Sequence, residues 1–244
     1  MSGKLSILGV EVDKITKKEA LEKFVELMDG EGRSLIVTPN PEIILSAEKD
    51  PQLKDLLNNA AMAIPDGISL VIVSKQLGQP LEERVTGIDF THSALEWCAA
   101  NGRKVYFLGS KPGIAEKAAE NMMTEIPGLQ IVGARDGYFK AEEEEDVARS
   151  IAETGAEFLC VALGAPKQEF FVEKYKDILN VKAAVGIGGS LDVWSGTLQR
   201  APEFYCKHGL EWLYRLIQEP SRFKRMAKIP MLFIKVMFSK KQEE

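Results

Sequence analysis

The sequence predicts an α/β fold: a doubly wound, mainly parallel sheet with helices on both faces, followed by a C-terminal helical appendage. Two observations lead to this expectation. The strand-like segments are continuous apolar runs, which is typical of parallel strands covered on both faces. They alternate with helix-like segments along the chain, as βαβ units do. We expect a core over residues 1–200 and a basic, amphipathic appendage over residues 201–244.

The expected strands are short apolar runs that stop at small or polar residues. The first of them, "SLIVTPN", ends in a turn that precedes Pro41, and the second, "AAMAIP", stops just before Asp66. In chain order, the predicted strands cover residues 34–40, 60–65, 104–110, 129–134, 157–164 and 183–188.

The expected helices are recognised mainly by the residues at their ends. Proline is favoured at the first helical position and glycine just past the last one. A helix over 41–60 therefore begins with Pro41 and is broken near Pro51, and a helix over 67–78 ends at Gly78. The helix over 87–102 has Asp89 or Thr91 as its N-cap residue. The remaining helices cover 112–128 and 141–155.

Composition excludes several classes of protein. With 45% hydrophobic and 27% charged residues, the chain has an ordinary globular composition. It shows no secretion signal and no apolar run of about 18 residues, so we expect neither export nor a transmembrane helix. The three cysteines, Cys98, Cys160 and Cys206, are expected to be reduced and buried. With only two histidines and three widely separated cysteines, a zinc site is improbable.

Common catalytic motifs are also missing. The sequence contains no dinucleotide-binding G-x-G-x-x-G after the first strand and no phosphate-binding G-x-x-x-x-G-K-[ST]. It contains no G-x-S-x-G hydrolase motif and no D-x-D metal pair. The acidic run at 144–146 falls on an amphipathic helix, which favours a solvated face. Nucleic-acid binding has little support because the body of the chain is acidic.

Unusual residues lie at the carboxyl ends of the predicted strands, where doubly wound sheets bind ligands. These ends are 38–40, 66–67, 109–110, 164–168 and 186–190, and we expect them to converge on one crevice. Small residues in such turns let backbone N–H groups approach phosphates. Candidate substrate-binding residues at these ends are Gly109, Gly164, Lys167 and Gly188.

Seven short motifs, in order along nearly the whole chain, resemble the WecG/TagA/CpsF glycosyltransferase family. They are "TPNPEI", "IPDGISL", "ERVTGIDF", "FLGS", "ALGAPKQE", "GIGGSLDVWSG" and "RAP". The later segment "GLEWLYRLIQEPSRFKRM" (209–226) resembles the C-terminal appendage of the TagA branch, which acts in wall teichoic acid synthesis.

The resemblance implies a Rossmann-like core and metal-independent, inverting transfer. The implied donor is UDP-N-acetylmannosamine, and the implied acceptor is undecaprenyl-diphosphate-linked GlcNAc, joined through a β-1,4 linkage. It further implies a peripheral enzyme at the cytoplasmic face of the membrane, whose appendage completes the active site. A homo-oligomer is possible. Two alternatives stay open: another UDP-sugar donor, such as ManNAc uronate or glucose, and a non-catalytic nucleotide-binding module.

The resemblance also assigns site residues. The aspartate of P-D-G, the family's proposed general base, matches Asp66, and the active-site Thr and Asn match Thr38 and Asn40. The remaining matches are Arg84 and Gln168. From the residues alone, Asp66 is also a plausible N-cap of the 67–78 helix, and Thr38 and Asn40 are plausible turn residues.

The leaving diphosphate needs positive charge or N–H donors when no metal is present. Arg84 and three appendage arginines, Arg215, Arg222 and Arg225, are the candidates, and the three share one helical face if their helix continues through Pro220. Tyr138 either stacks on the uracil or fills the core. Asp192 is a candidate for accepting a hydrogen bond from the uracil or the ribose.

The tail differs in charge from the rest of the chain. Residues 201–241 hold nine basic and three acidic residues, whereas the whole chain carries a net charge of −5. The apolar segment after Pro230 is too short to span a bilayer, but its interleaved lysines suit a helix lying on an anionic membrane surface. Docking of this helix on the core or on another subunit is the alternative.

Overall fold

The computed structural model describes residues 3–202, 204–205, 208–220, 223 and 228–243. The described residues form eight strands, six of which make up a central parallel sheet. The strands in chain order are β1 (Lys4–Ile7), β2 (Val10–Asp13), β3 (Ser34–Val37), β4 (Met62–Ala63), β5 (Lys104–Gly109), β6 (Gln130–Arg135), β7 (Phe158–Ala162) and β8 (Ala183–Gly186). The first two form a separate antiparallel hairpin, and the parallel sheet has the order β4-β3-β8-β7-β5-β6.

Helices cover both faces of this sheet. They are α1 (Lys17–Asp29), α2 (Pro41–Ala47), α3 (Pro51–Asn58), α4 (Ile68–Gln76), α5 (Gly87–Ala100), α6 (Ile114–Glu125), α7 (Glu144–Glu153), α8 (Lys167–Leu179), α9 (Ser190–Trp194), α10 (Glu211–Gln218) and α11 (Lys228–Glu243), with a 3₁₀ turn at Ala141–Glu143.

Alternate strand residues enter two separate cores. In β7, for example, Leu159 and Val161 pack with α2, α3, α7 and α8, whereas Phe158 and Cys160 pack with α1, α5 and α6. Because successive side chains of a strand point to opposite faces, this alternation requires apolar residues throughout. The predicted doubly wound sheet is therefore confirmed.

Several element boundaries differ from the expectations. The segment 41–60 forms two helices, α2 and α3, separated just before Pro51 as expected, but the predicted strand over 60–65 contributes only Met62 and Ala63 to the sheet. The predicted N-cap of α5 was wrong. Thr86 caps this helix by accepting a hydrogen bond from the Asp89 amide, so Asp89 and Thr91 lie inside it. Sequence reasoning did not identify the β1–β2 hairpin or α1, and it indicated the start of α8 at Gln168 without its extent.

The appendage contributes α10 and α11 to the described structure. Leu232 and Val236 of α11 are buried in the core that contains α2 and α4. Lys235 Nζ lies 2.6 Å from the Glu48 carboxylate on the opposing surface. Within the residues described, the helices are all too short or too polar to cross a bilayer.

The cysteines agree with the expectation where they are described. Cys98 and Cys160 are buried free thiols, and Cys206 lies outside the described residues. Burial raises the pKa of Cys98 to about 12 and that of Cys160 well above its usual value, so both stay protonated.

Candidate active site

The carboxyl edge of the sheet contains two adjoining cavities. The larger has a volume of about 430 Å³ and lies at the ends of β3, β4 and β8, and the smaller has about 330 Å³ and lies at the end of β5. Ala162 and Leu163, at the end of β7, line both. The five strand ends therefore converge on two cavities with a shared wall, rather than on the single crevice expected from the sequence.

The larger cavity collects most of the residues singled out in the sequence. Its lining includes Thr38, Asn40, Asp66, Arg84, Gly164, Gln168 and Gly188. These residues come from four strand ends and from the loop before α5, and are up to 150 positions apart in the chain. Their convergence places a carboxylate, a hydroxyl, two amides and a guanidinium around one space.

Asp66 is held by backbone groups on two sides. Its amide N–H donates to the Pro39 carbonyl at 2.8 Å, and its Oδ1 accepts a hydrogen bond from the Gly87 N–H at 3.3 Å. The alternative role as N-cap of α4 was wrong, because Gly67 occupies that position without any side-chain cap bond. Gly67 has φ +98°, a conformation that favours glycine. This explains why a glycine follows Asp66 in the sequence.

Thr38 and Asn40 both have structural partners in the cavity wall. The Thr38 hydroxyl donates to the Gly186 carbonyl at 3.0 Å and so links the ends of β3 and β8. Asn40 Oδ1 accepts hydrogen bonds from the Glu42 and Ile43 amides at 2.9 and 3.1 Å, which caps α2. The capping role of Asn40 therefore coexists with its position in the cavity.

Gln168 has a buried acidic neighbour that sequence reasoning missed. Gln168 and Glu169 are 3% and 2% exposed, and Gln168 Nε2 donates to Glu169 Oε1 at 2.8 Å. Burial raises the pKa of the Glu169 carboxyl, and the hydrogen bond from Gln168 opposes this effect only in part. Both residues line the larger cavity. The only sequence signal was a glutamate beside the Gln of A-P-K-Q, at a strand end.

The appendage closes one side of the larger cavity. Gly209, Glu211, Trp212 and Ile229 belong to its lining. Glu211 forms a close ion pair with Arg84, and the two side chains are only 21% and 20% exposed. The guanidinium expected to bind a diphosphate therefore contacts an appendage carboxylate in this structure.

The smaller cavity contains the candidate nucleoside contacts. Tyr138 and Asp192 line it, and Asp192 Oδ1 accepts a hydrogen bond from the Ser110 hydroxyl at 2.9 Å. The Tyr138 side chain is 71% exposed, so the alternative that it fills the core was wrong. An exposed aromatic ring beside hydrogen-bonding groups is suited to stacking on a base.

Other predicted residues lie elsewhere. Lys167 is exposed, with its Nζ 4.8 Å from the centre of the Phe139 ring, and lines neither cavity. Gly109 is buried in β5, where an added Cβ would lie 2.4 Å from the backbone of Ala162, so its role is close strand packing.

The appendage arginines are not brought together by one continuous helix. α10 ends at Gln218, before Pro220, which breaks the helix that would have placed all three on one face. Arg222 and Arg225 lie outside the described residues, as does the side chain of Arg215. Across the described ranges, no three His, Cys, Asp or Glu side chains gather as metal ligands would.

Comparison with known proteins identifies similar sequences along almost the whole chain. A family model described as "Glycosyl transferase WecG/TagA/CpsF family" matches residues 5–244. A protein of Bacillus spizizenii strain W23 is 40% identical over 203 residues, which cover 83% of this chain and 78% of that protein. A protein of Bacillus subtilis strain 168 is 34% identical over 211 residues, covering 86% and 82%. Both carry the name N-acetylglucosaminyldiphosphoundecaprenol N-acetyl-beta-D-mannosaminyltransferase.

Proposed function

Because the chain belongs to the WecG/TagA/CpsF family of glycosyl transferases, we propose that it transfers N-acetylmannosamine to undecaprenyl-diphosphate-linked GlcNAc. The proposed donor is UDP-N-acetylmannosamine and the proposed product linkage is β-1,4. The names of the two relatives support the sugar and the acceptor. The observation that carries the proposal is the gathering of Asp66, Thr38, Asn40, Arg84 and Gln168 around one cavity.

Asp66 is the proposed general base of a direct displacement. The acceptor hydroxyl attacks the anomeric carbon of the donor sugar while its proton passes to the Asp66 carboxylate. The bond between that carbon and the diphosphate oxygen breaks, and the configuration at the carbon inverts. The Gly87 amide, which donates to Oδ1, helps to orient the carboxylate.

The leaving UDP takes the electron pair of the broken bond and therefore needs positive charge or N–H donors. Arg84 is the proposed diphosphate ligand from the core, with Arg215, Arg222 and Arg225 proposed from the appendage. The uridine would occupy the smaller cavity, where Tyr138 stacks on the uracil and Asp192 accepts a hydrogen bond. The shared wall at Ala162 and Leu163 makes this division sterically reasonable, because donor sugar and nucleoside are joined by the diphosphate.

The appendage is the proposed membrane contact, since the acceptor is anchored in lipid. The outer side of α11 exposes Met231, Ile234, Met237 and Phe238, each 49–65% accessible. These apolar side chains, together with the basic residues of 201–241, suit a helix in the headgroup region of an anionic membrane. The enzyme would thus work as a peripheral protein at the cytoplasmic face.

The direct test is product formation by the wild-type protein and by Asp66→Asn. Each is incubated with UDP-N-acetylmannosamine and a short-chain GlcNAc-diphospholipid, and the product is identified by mass and linkage. We expect the substitution to slow transfer by about 10²–10⁴-fold, the usual contribution of a general base, with unchanged circular dichroism. Asp55→Asn, on the exposed side of α3, is the matched control and should transfer normally.

Three outcomes would contradict parts of the proposal. Transfer by Asp66→Asn at the wild-type rate would exclude Asp66 as the base. Efficient transfer from a different UDP-sugar would show that the donor is not UDP-N-acetylmannosamine. Tight UDP binding by a wild-type protein that transfers no sugar to any lipid-linked acceptor would indicate a nucleotide-binding module instead.

A further inference from the structure

We propose that Glu169, together with Gln168, is a specificity-determining residue that binds two neighbouring hydroxyl groups of a pyranose ring in the larger cavity. This inference rests on the proposed function, because it requires that a sugar occupy this cavity. It adds to that function a recognition site for the sugar itself, distinct from the base and from the cations that bind the diphosphate.

The first argument is the state of two oxygen atoms. Gln168 Oε1 and Glu169 Oε2 are both buried, and neither has a hydrogen-bond partner. A buried polar atom without a partner costs roughly 1–3 kcal/mol, so such atoms are rare in folded proteins unless a ligand satisfies them. Two of them on adjacent residues that line one cavity point to a polar ligand.

The second argument is that the pair is held rigidly. Gln168 Nε2 and Glu169 Oε1 are joined by their 2.8 Å hydrogen bond, which fixes the orientation of the amide and of the carboxyl. Both side chains pack against Gly186, where an added Cβ would lie 2.3 Å from Gln168 Nε2 and 3.0 Å from Glu169 Oε1. The two remaining oxygens are therefore presented at fixed positions, as a specificity site requires.

The third argument concerns the kind of ligand. Gln168 Oε1 can only accept a hydrogen bond, whereas Glu169 Oε2 accepts one as part of a carboxylate and donates one when it is protonated. Two neighbouring sugar hydroxyls match this pair in either protonation state of Glu169, since each hydroxyl can both donate and accept. A diphosphate matches poorly because it offers acceptors alone. The hydroxyls belong either to the donor sugar or to the acceptor GlcNAc.

The test compares Glu169→Gln with Glu169→Ala. Glutamine keeps the acceptor for Gln168 and a hydrogen-bonding group toward the ligand hydroxyl, so we expect it to keep KM within about threefold of wild type. Alanine removes both groups, and losing one buried hydrogen bond should raise KM by about 10–100-fold with a smaller change in kcat. Glu173→Ala, on the exposed side of the same helix, is the matched control and should change neither constant.

Deoxy substrates identify which sugar is bound. KM is measured with monodeoxy analogues of the donor sugar and, separately, of the acceptor GlcNAc. For the sugar in contact with the pair, the wild-type enzyme should have a higher KM for one particular deoxy analogue than for the unmodified substrate. With Glu169→Ala, this difference in KM should disappear. Affinity for UDP alone, measured by calorimetry, should be the same in all variants because UDP lacks the pyranose ring that the pair is proposed to bind.

Several results would overturn the inference. If Glu169→Ala has unchanged KM values and still discriminates against the same deoxy analogues as the wild type, Glu169 does not recognise the sugar. The proposed transfer would remain intact. A Glu169→Gln variant that binds both substrates normally but does not turn over would assign Glu169 to the chemical step instead. If Glu169→Ala does not fold, a tenfold or greater rise in KM for Glu169→Gln would equally contradict the inference, because glutamine keeps a hydrogen-bonding group at this position. Absence of transfer by the wild-type enzyme would instead refute the proposed function.

Discussion

At the residue scale, glycines position the groups of the larger cavity as much as the polar side chains do. Gly87 supplies the amide that binds Asp66, and Gly186 supplies the carbonyl that accepts from Thr38. Gly186 also leaves the space that Gln168 and Glu169 fill. A side chain at any of these positions would displace a polar group by a fraction of an ångström or more, which is enough to impair catalysis.

Gly186→Ala should therefore slow transfer strongly. The new Cβ would lie 2.3 Å from Gln168 Nε2, so the amide and its carboxyl partner must move. A displacement of about 1 Å in an active site costs on the order of 10²-fold in rate, and we expect a loss of about 10–100-fold in kcat/KM. UDP affinity should persist because the smaller cavity is untouched.

The matched control for this change is Gly32→Ala, whose nearest neighbour would be the Ser34 hydroxyl at 3.7 Å. That variant should transfer at the wild-type rate. Full activity of Gly186→Ala would mean that the close packing of Gln168 and Glu169 against β8 does not matter for catalysis.

At the element scale, α11 has two sides with different surroundings. Leu232 and Val236 are buried against the core, whereas Met231 and Phe238 are exposed. The ion pair of Lys235 with Glu48 lies at the edge between them. The same helix can therefore dock on the core and present an apolar surface outward, so docking and membrane contact, which were alternatives in the sequence, are compatible.

Substitutions on the two sides of α11 should have separable effects. Leu232→Ala leaves a cavity that costs about 2–5 kcal/mol, so amide hydrogen exchange across residues 228–243 should accelerate by at least about tenfold. Met231→Ala combined with Phe238→Ala should leave exchange unchanged but reduce co-sedimentation with vesicles that contain anionic lipid. Equal vesicle binding by wild type and this double variant would exclude the outer side as the membrane contact.

What the sequence could predict depends on how local the signal is. The alternation of apolar strands and capped helices was sufficient to predict the doubly wound sheet. The start of α1 also carries a local signal, the capping box of Thr16 and Glu19, although sequence reasoning did not use it. By contrast, the Gly87 amide that binds Asp66, the burial of Glu169 and the pairing of Arg84 with Glu211 all join distant segments. Only the tertiary structure reveals them.

At the scale of the whole molecule, one edge of the sheet supports two cavities whose walls come from both the core and the appendage. Arg84 in the larger cavity and Ser110, Tyr138 and Asp192 at the smaller one lie on opposite sides of the end of β7. A ligand with a sugar, a diphosphate and a nucleoside could span both, with the charge of its diphosphate met by protein groups.

UDP should therefore stabilise the folded protein without a divalent cation. At a concentration of about 100 times its Kd, a ligand adds roughly 2.7 kcal/mol, which for a chain of this size raises Tm by about 5–10 °C. The shift should be equal in EDTA and in MgCl₂, and smaller in Tyr138→Ala and Asp192→Asn. Asp146→Asn, exposed on α7, is the control. A shift that requires Mg²⁺ would contradict metal-independent binding.

The hydrogen bond between Thr38 and the Gly186 carbonyl also has a consequence for folding kinetics. It joins positions 148 residues apart, in strands that neighbour each other only because β8 inserts beside β3. Contacts of such long range form slowly, since the intervening chain must first be ordered. During synthesis, the larger cavity can form only after β8 has left the ribosome. Recovery of substrate binding should accordingly coincide with the last refolding phase.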